Sequence, residues 1–248
     1  MSLDLNPLEP GAAGAIMHFW NARTDAAHRQ RAGGAADHGE RAGVTAGKNM
    51  DGFVHLLTQI ARSNGLANAQ VCSDRTALTL PGYFRATKNW DLLILNGQRL
   101  VAAVEFKSQV GPSLGNNFNN RAEEAIGTAH DFWTAYRTGA FGTDLPRPFV
   151  GWLMLIEDTA TSRAPGQHLD TPHFDVSPEF RGASYIERYD ILCRKLMLEN
   201  LYSHASVITT PTDGGSTGVY GSASQMTSLQ AFAAAFASYC AADVFRSH

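Results

Sequence analysis

Apolar positions along the chain follow two different repeats. Between residues 50 and 64 they fall three and four apart, at Met50, Phe53, Leu56, Leu57 and Ile60, which predicts a helix stopped by Asn64-Gly65. Residues 90–95 and 99–107 are instead two short runs rich in Leu, Ile and Val around Asn96-Gly97, the pattern of an antiparallel hairpin. Residues 149–157 are almost continuously apolar and read as a buried strand, and residues 205–210 as a shorter one. Helical patterns also cover residues 11–22, 185–202 and the Ala-rich stretch 228–245. Asn120 with Glu123 three positions on resembles a capping box, so a helix is expected from there to about Thr138. Residues 23–48 are polar, rich in Gly and Ala and poor in core residues, which predicts a mobile loop or arm. Helix, hairpin, helix and strand in this order give an α/β fold, a central mixed sheet flanked by helices, with residues 1–248 as one domain.

The hairpin carries the chemistry. Asp91, Glu105 and Lys107 form the pattern D-x(13)-E-x-K, each end lying on an apolar run. Glu105 and Lys107 are two apart on one strand, so they share a face while Phe106 points to the other. Register decides whether Asp91 joins them. A two-residue turn at Asn96-Gly97 would pair Asp91 with Ala102 and turn it to the opposite face from Glu105. Pairing centred on Gln98 sets Asp91 directly across from Glu105, so a three- or five-residue connection, or a bulge, is expected rather than a type I′ turn. Two acids and a lysine gathered at a buried sheet can hold a divalent cation and a water beside a phosphodiester, and unpaired charges there are otherwise costly. The pattern resembles the PD-(D/E)xK nuclease signature. An ion pair at a strand end would leave Glu105 and Lys107 in the same places.

Composition narrows the classes. With 44% hydrophobic residues in 248, the chain can bury one substantial core. It shows neither an 18-residue apolar run nor a basic-then-apolar leader, which predicts a cytosolic protein without a membrane partner. Cys72, Cys193 and Cys240 lack metal spacing and read as buried thiols. His18, His28, His38 and His55 follow no zinc-ligand pattern, and the absence of a Gly-Lys-Ser/Thr loop argues against a nucleotide cofactor. The net charge of −3 argues against indiscriminate nucleic-acid binding, yet arginines outnumber lysines 16 to 4, and arginine suits bidentate contact with phosphate and guanine.

Beyond the hairpin the chain resembles the XhoI-type restriction endonucleases. The similarity runs through Leu80-Pro81-Gly82-Tyr83, Lys88-Asn89-Trp90-Asp91, Val104-Glu105-Phe106-Lys107-Ser108 and the stretch from Gly111 to Asp131. It continues in Gly39-Glu40-Arg41-Ala42-Gly43, Asn49-Met50-Asp51-Gly52-Phe53, Arg181-Gly182-Ala183-Ser184-Tyr185 and Leu192-Cys193-Arg194-Lys195-Leu196, covering about residues 15 to 210. This resemblance implies a bacterial, homodimeric, Mg²⁺-dependent enzyme with a PD-(D/E)xK core. Its implied substrate is double-stranded DNA at the palindrome CTCGAG, cut after the first C to leave 5′ overhangs.

On this reading Asp91, Glu105 and the carbonyl of Phe106 hold the metal, and Lys107 orients the attacking water. A further acid often lies before the hairpin; Glu40 is favoured, with a simple partner for Arg41 as its alternative, while Asp51 reads as an ordinary helix-start acid. Gln109 shares the face of Lys107 and would reach the water, or would simply be a polar strand end. Asn116, Asn117, Asn119 and Asn120, with Ser113 and Arg121, are candidates for base reading, asparagine suiting adenine and arginine guanine; turns and a helix cap are the alternative. Lys88, Arg85 and Arg181 are phosphate candidates or solvated charges. A repair nuclease with structural selectivity and a DNA-binding module that does not cut remain as other classes.

Overall fold

The computed structural model describes residues 2–32, 49–72, 76–111, 113–143, 145–166 and 171–245. Helix α1 (Leu8–Ala32) and helix α2 (Asp51–Ser63) precede three short strands, β1 (Gln70–Cys72), β2 (Thr79–Pro81) and β3 (Thr87–Asn89). The long hairpin β4 (Leu92–Asn96) and β5 (Arg99–Gln109) leads into helix α3 (Leu114–Arg137), strand β6 (Phe149–Glu157) and the short α4 (Ala160–Arg163). A 3₁₀ turn (Pro178–Phe180), α5 (Tyr185–Leu198), β7 (His204–Thr210), the short α6 (Gly214–Thr217), β8 (Gly221–Ser222) and α7 (Leu229–Phe245) complete the chain.

Six strands form one mixed sheet in the order β1-β4-β5-β6-β7-β8, while β2 and β3 pair as a separate hairpin. β5, β6 and β7 run parallel, and β1, β4 and β8 are antiparallel to their neighbours. Each face buries its own core, as expected for a sheet whose strands carry apolar residues at both parities. On one side Leu92, Ile94, Val104, Phe106, Leu153 and Leu155 pack with α1, α2 and α7. On the other Leu93, Ala103, Trp152, Met154 and Val207 pack with α3 and α5.

The hairpin register follows the sequence argument. Leu92 pairs with Val104, Leu93 with Ala103 and Ile94 with Ala102; the register then shifts at Ile94/Leu95, so that Asn96 faces Arg99 across a two-residue turn. Gly97 takes φ 63°, and Asn200 is the only described non-glycine residue with positive φ, so Gln98 is not left-handed and the turn is not type I′. The bulge restores the pairing centred on Gln98.

Two expectations need correction. Residues 23–32 continue α1 rather than starting a loop, because Ala, Arg and Gln have high helix propensity; residues 33–48 lie outside the described residues. Asn120 is not an N-cap. Helix α3 begins six residues earlier, with Ser113 at the cap position, because Leu114 is buried and Phe118 packs edge-on to Tyr189 at 5.1 Å. Tertiary burial overrides the weak helix propensity of Gly115 and the asparagines. Helix α5 starts where expected, at a capping box of Ser184 and Glu187, but ends at Leu198, since Asn200 takes φ 56°.

Candidate active site

Asp91 immediately precedes β4, and its N–H donates to the Val104 carbonyl at 3.2 Å; two residues before Leu93, it shares the sheet face of Leu93, Ala103 and Glu105. Both carboxylates therefore project toward α3 and α5. The Phe106 N–H donates to Asp91 Oδ2 at 2.8 Å and fixes that carboxylate, while the Phe106 ring lies in the opposite core.

Glu105 is 2% exposed and holds two ammonium groups on one oxygen: Lys107 Nζ lies 2.7 Å and Lys88 Nζ 3.0 Å from Oε1. Its other oxygen, Oε2, is buried with no hydrogen-bond partner among the described residues. Lys107 also lies 3.9 Å from Glu124 on α3, which pairs with Arg121 at 2.6 Å. Lys88 reaches in from β3, donating as well to the Asn89 carbonyl and sitting 5.6 Å above the Trp90 ring.

The two carboxylates titrate in opposite directions. Burial is the strongest influence on Glu105 and raises its pKa, but Lys107 and Lys88 together outweigh it and hold the group below the ordinary value. Asp91 keeps solvent access yet is crowded by protein on most sides, and that desolvation raises its pKa against the Phe106 N–H and Lys107. Among the described residues no group of three or more His, Cys, Asp or Glu side chains is placed to hold a metal. Two carboxylates suffice for a small hard cation that retains waters, and the buried, unpartnered Glu105 oxygen is a donor free for such an ion.

A docked loop borders the site. Asp131 on α3 accepts from the Tyr83 and Phe84 N–H groups at 2.8 and 2.7 Å and from Arg85 Nε at 2.9 Å, pinning the β2–β3 turn. Burial raises the Asp131 pKa, and these donors more than reverse it. An open groove of about 600 Å³ runs past this turn, bounded by Arg85, Glu123, Glu124 and Thr128.

The structure thus brings together Asp91, Glu105, Lys107 and Lys88, with the Phe106 backbone between the acids. The ion pair between Glu105 and Lys107 is present as part of this cluster. Ser113 opens α3; Asn116, Asn119 and Asn120 are exposed on its first turns and Asn117 is partly buried. Arg85 is engaged by Asp131 and Arg121 by Glu124, whereas Arg181 stands apart, paired with Asp175 at 3.1 Å. Gln109 is buried at the end of β5 on the face of Lys107, and Asp51 is the first residue of α2. Glu40 lies outside the described residues. Glu124 and Asp131 were missed; the three-residue spacing from Arg121 to Glu124 was the available signal for the first.

An acid pair with a lysine on a mixed sheet flanked by helices is the arrangement of a metal-dependent nuclease. The model of the restriction endonuclease XhoI family matches residues 29–222, and the chain belongs to that family. It is 50% identical over 212 residues to the type II restriction enzyme XhoI of Xanthomonas vasicola, covering 85% of this chain and 84% of that protein. It is 57% identical to AbrI of Azospirillum brasilense, over 73% of this chain and 80% of that one. The match to BstVI of Geobacillus stearothermophilus is 47% identical over 74% and 83% respectively. All three relatives are type II restriction enzymes. No solved structure matches the chain. Among the described residues, no helix is long and apolar enough to cross a membrane.

Proposed function

We propose that this endonuclease hydrolyses double-stranded DNA at the palindrome CTCGAG, cutting after the first C to leave 5′ overhangs, and that it does so as a homodimer with Mg²⁺. The Asp91 carboxylate held by the Phe106 N–H next to Glu105, with Lys107 on Glu105 and one buried Glu105 oxygen unpartnered, is the observation that carries the reading.

Asp91 Oδ1, Glu105 Oε2 and the Phe106 carbonyl would hold the ion. Bound there, it would supply Lewis-acid polarisation of the phosphate and a more acidic water. The chain's own groups do the rest. Lys107 places a fixed positive charge where the phosphate gains negative charge, and its remaining protons orient the attacking water. That water's oxygen bonds to phosphorus as the P–O3′ bond breaks, leaving a 5′-phosphate and, once protonated, a 3′-hydroxyl. The Phe106 N–H holds Asp91 in position. Lys88 is the proposed contact to a flanking phosphate, and the exposed asparagines on the first turns of α3, with Arg121, are the proposed base readers.

Run-off sequencing of DNA containing CTCGAG, digested with and without Mg²⁺, tests this. Termination after the first C on both strands, only with the metal, is expected. A random ladder, or discrete cuts at another sequence, contradicts it.

A further inference from the structure

Lys88, a proposed phosphate contact, is engaged by Glu105 in the DNA-free site. It belongs to the separate β2–β3 hairpin, not to the strands that build the acid pair, yet its ammonium shares Glu105 Oε1 with Lys107. Two ammonium groups opposite two carboxylates make this cluster electrically balanced as it stands. A divalent cation between Asp91 and Glu105 would add two further positive charges within a few ångströms of both lysines. Coulomb repulsion at that range in a partly buried site favours expulsion of one of the two ammonium groups. Lys107 sits on a central strand of the six-stranded sheet, with Glu124 as a second acidic neighbour, whereas Lys88 stands on a two-stranded hairpin.

We propose that Lys88 is the displaceable counter-ion of the site: it occupies Glu105 in the metal-free enzyme and is released toward DNA phosphate when a divalent cation binds. The two events then favour one another, and by thermodynamic reciprocity DNA tightens the metal as much as the metal tightens DNA. This rests on the reading of Asp91 and Glu105 as the cation's ligands.

Calcium titrations of the chelator-treated full chain, followed by calorimetry, test it. Two neutral variants are used, Lys88→Met and Lys88→Gln, so that the answer does not hang on one side chain. Neither substitution touches the three hydrogen bonds by which Asp131 docks the hairpin. Without DNA, both should bind Ca²⁺ more tightly than wild type by about threefold or more, since a competing charge is gone. Lys88→Arg, which keeps the charge, should bind as wild type. With a short CTCGAG duplex, the gain in DNA affinity that Ca²⁺ produces should shrink by a similar factor in the neutral variants. Calcium affinity that is unchanged or weaker in both neutral variants overturns the proposal. Glu105→Gln separates the two layers: if it leaves Ca²⁺ binding intact, the ligand assignment fails; if it abolishes binding while the neutral Lys88 variants do not tighten it, only the counter-ion role fails.

Discussion

At the residue scale, Asp91 and Glu105 are neighbours with opposite stability profiles. The pKa of Asp91 is raised, so the folded state holds its proton more readily than the unfolded chain. Its contribution is therefore most favourable at low pH and is lost as pH rises through the raised value. Glu105 is depressed, so its contribution is present above the ordinary glutamate range and is lost as pH falls through the depressed value. Asp91→Asn keeps an oxygen for the Phe106 N–H and removes the desolvated charge. In chelator, thermal melts should place this variant above wild type at neutral pH, with the gap closing toward pH 4. A variant less stable than wild type at neutral pH would contradict the assigned direction.

At the element scale, the turn of the β2–β3 hairpin is pinned by one carboxylate. Asp131→Ala removes three hydrogen bonds from the Gly82–Arg85 turn and should cost about 1–3 kcal/mol of stability in denaturant melts. Gly82→Ala should act on the same turn, because an added Cβ would lie 2.5 Å from the Arg85 carbonyl oxygen and 2.7 Å from Asp131 Oδ2. Unchanged stability in both would mean the turn is not anchored this way. Helix α3 yields a separate prediction. If its first turns enter the major groove, Asn119→Ala should lower discrimination between CTCGAG and sites one base different by about 1–3 kcal/mol in gel-shift titrations. Uniform loss across sequences would make the asparagine structural.

These elements also mark how far the sequence could be read. The β4–β5 hairpin and α5 are legible because their apolar patterns match the burial they find, β6 and α7 because they are apolar almost throughout, and the Gln98-centred register follows from requiring both acids on one face. The start of α3 is not, since Gly and Asn signal turns locally and only the packing of Leu114 and Phe118 makes them helical. By position Lys88 reads as a phosphate contact; its place on Glu105 depends on a hairpin whose strands are three residues each, too short to leave a period. Asp131 likewise gave no sign, because the turn that it caps lies 46 to 48 residues away.

At the scale of the whole molecule, the net charge of −3 is carried by a chain proposed to bind a polyanion. Binding is then expected to depend on the few cations gathered at the site and to weaken with salt only in proportion to their number. A palindrome is read most simply by a two-fold protein in which each subunit cuts one strand, so sedimentation equilibrium should give twice the chain mass of 26.8 kDa. A monomer both alone and on cognate DNA would contradict this.

The central claim is that Asp91, Glu105 and Lys107 form the centre that cleaves DNA, and Lys107→Ala tests it most directly. Cleavage and binding of one end-labelled CTCGAG duplex are measured for the same preparation, in Mg²⁺ and in Ca²⁺ respectively. The variant should lose cleavage by about 10²-fold or more, the scale of one lost electrostatic contact to the transition state, while keeping specific binding. Cleavage at the wild-type rate, or joint loss of cutting and binding in a normally folded variant, would contradict it.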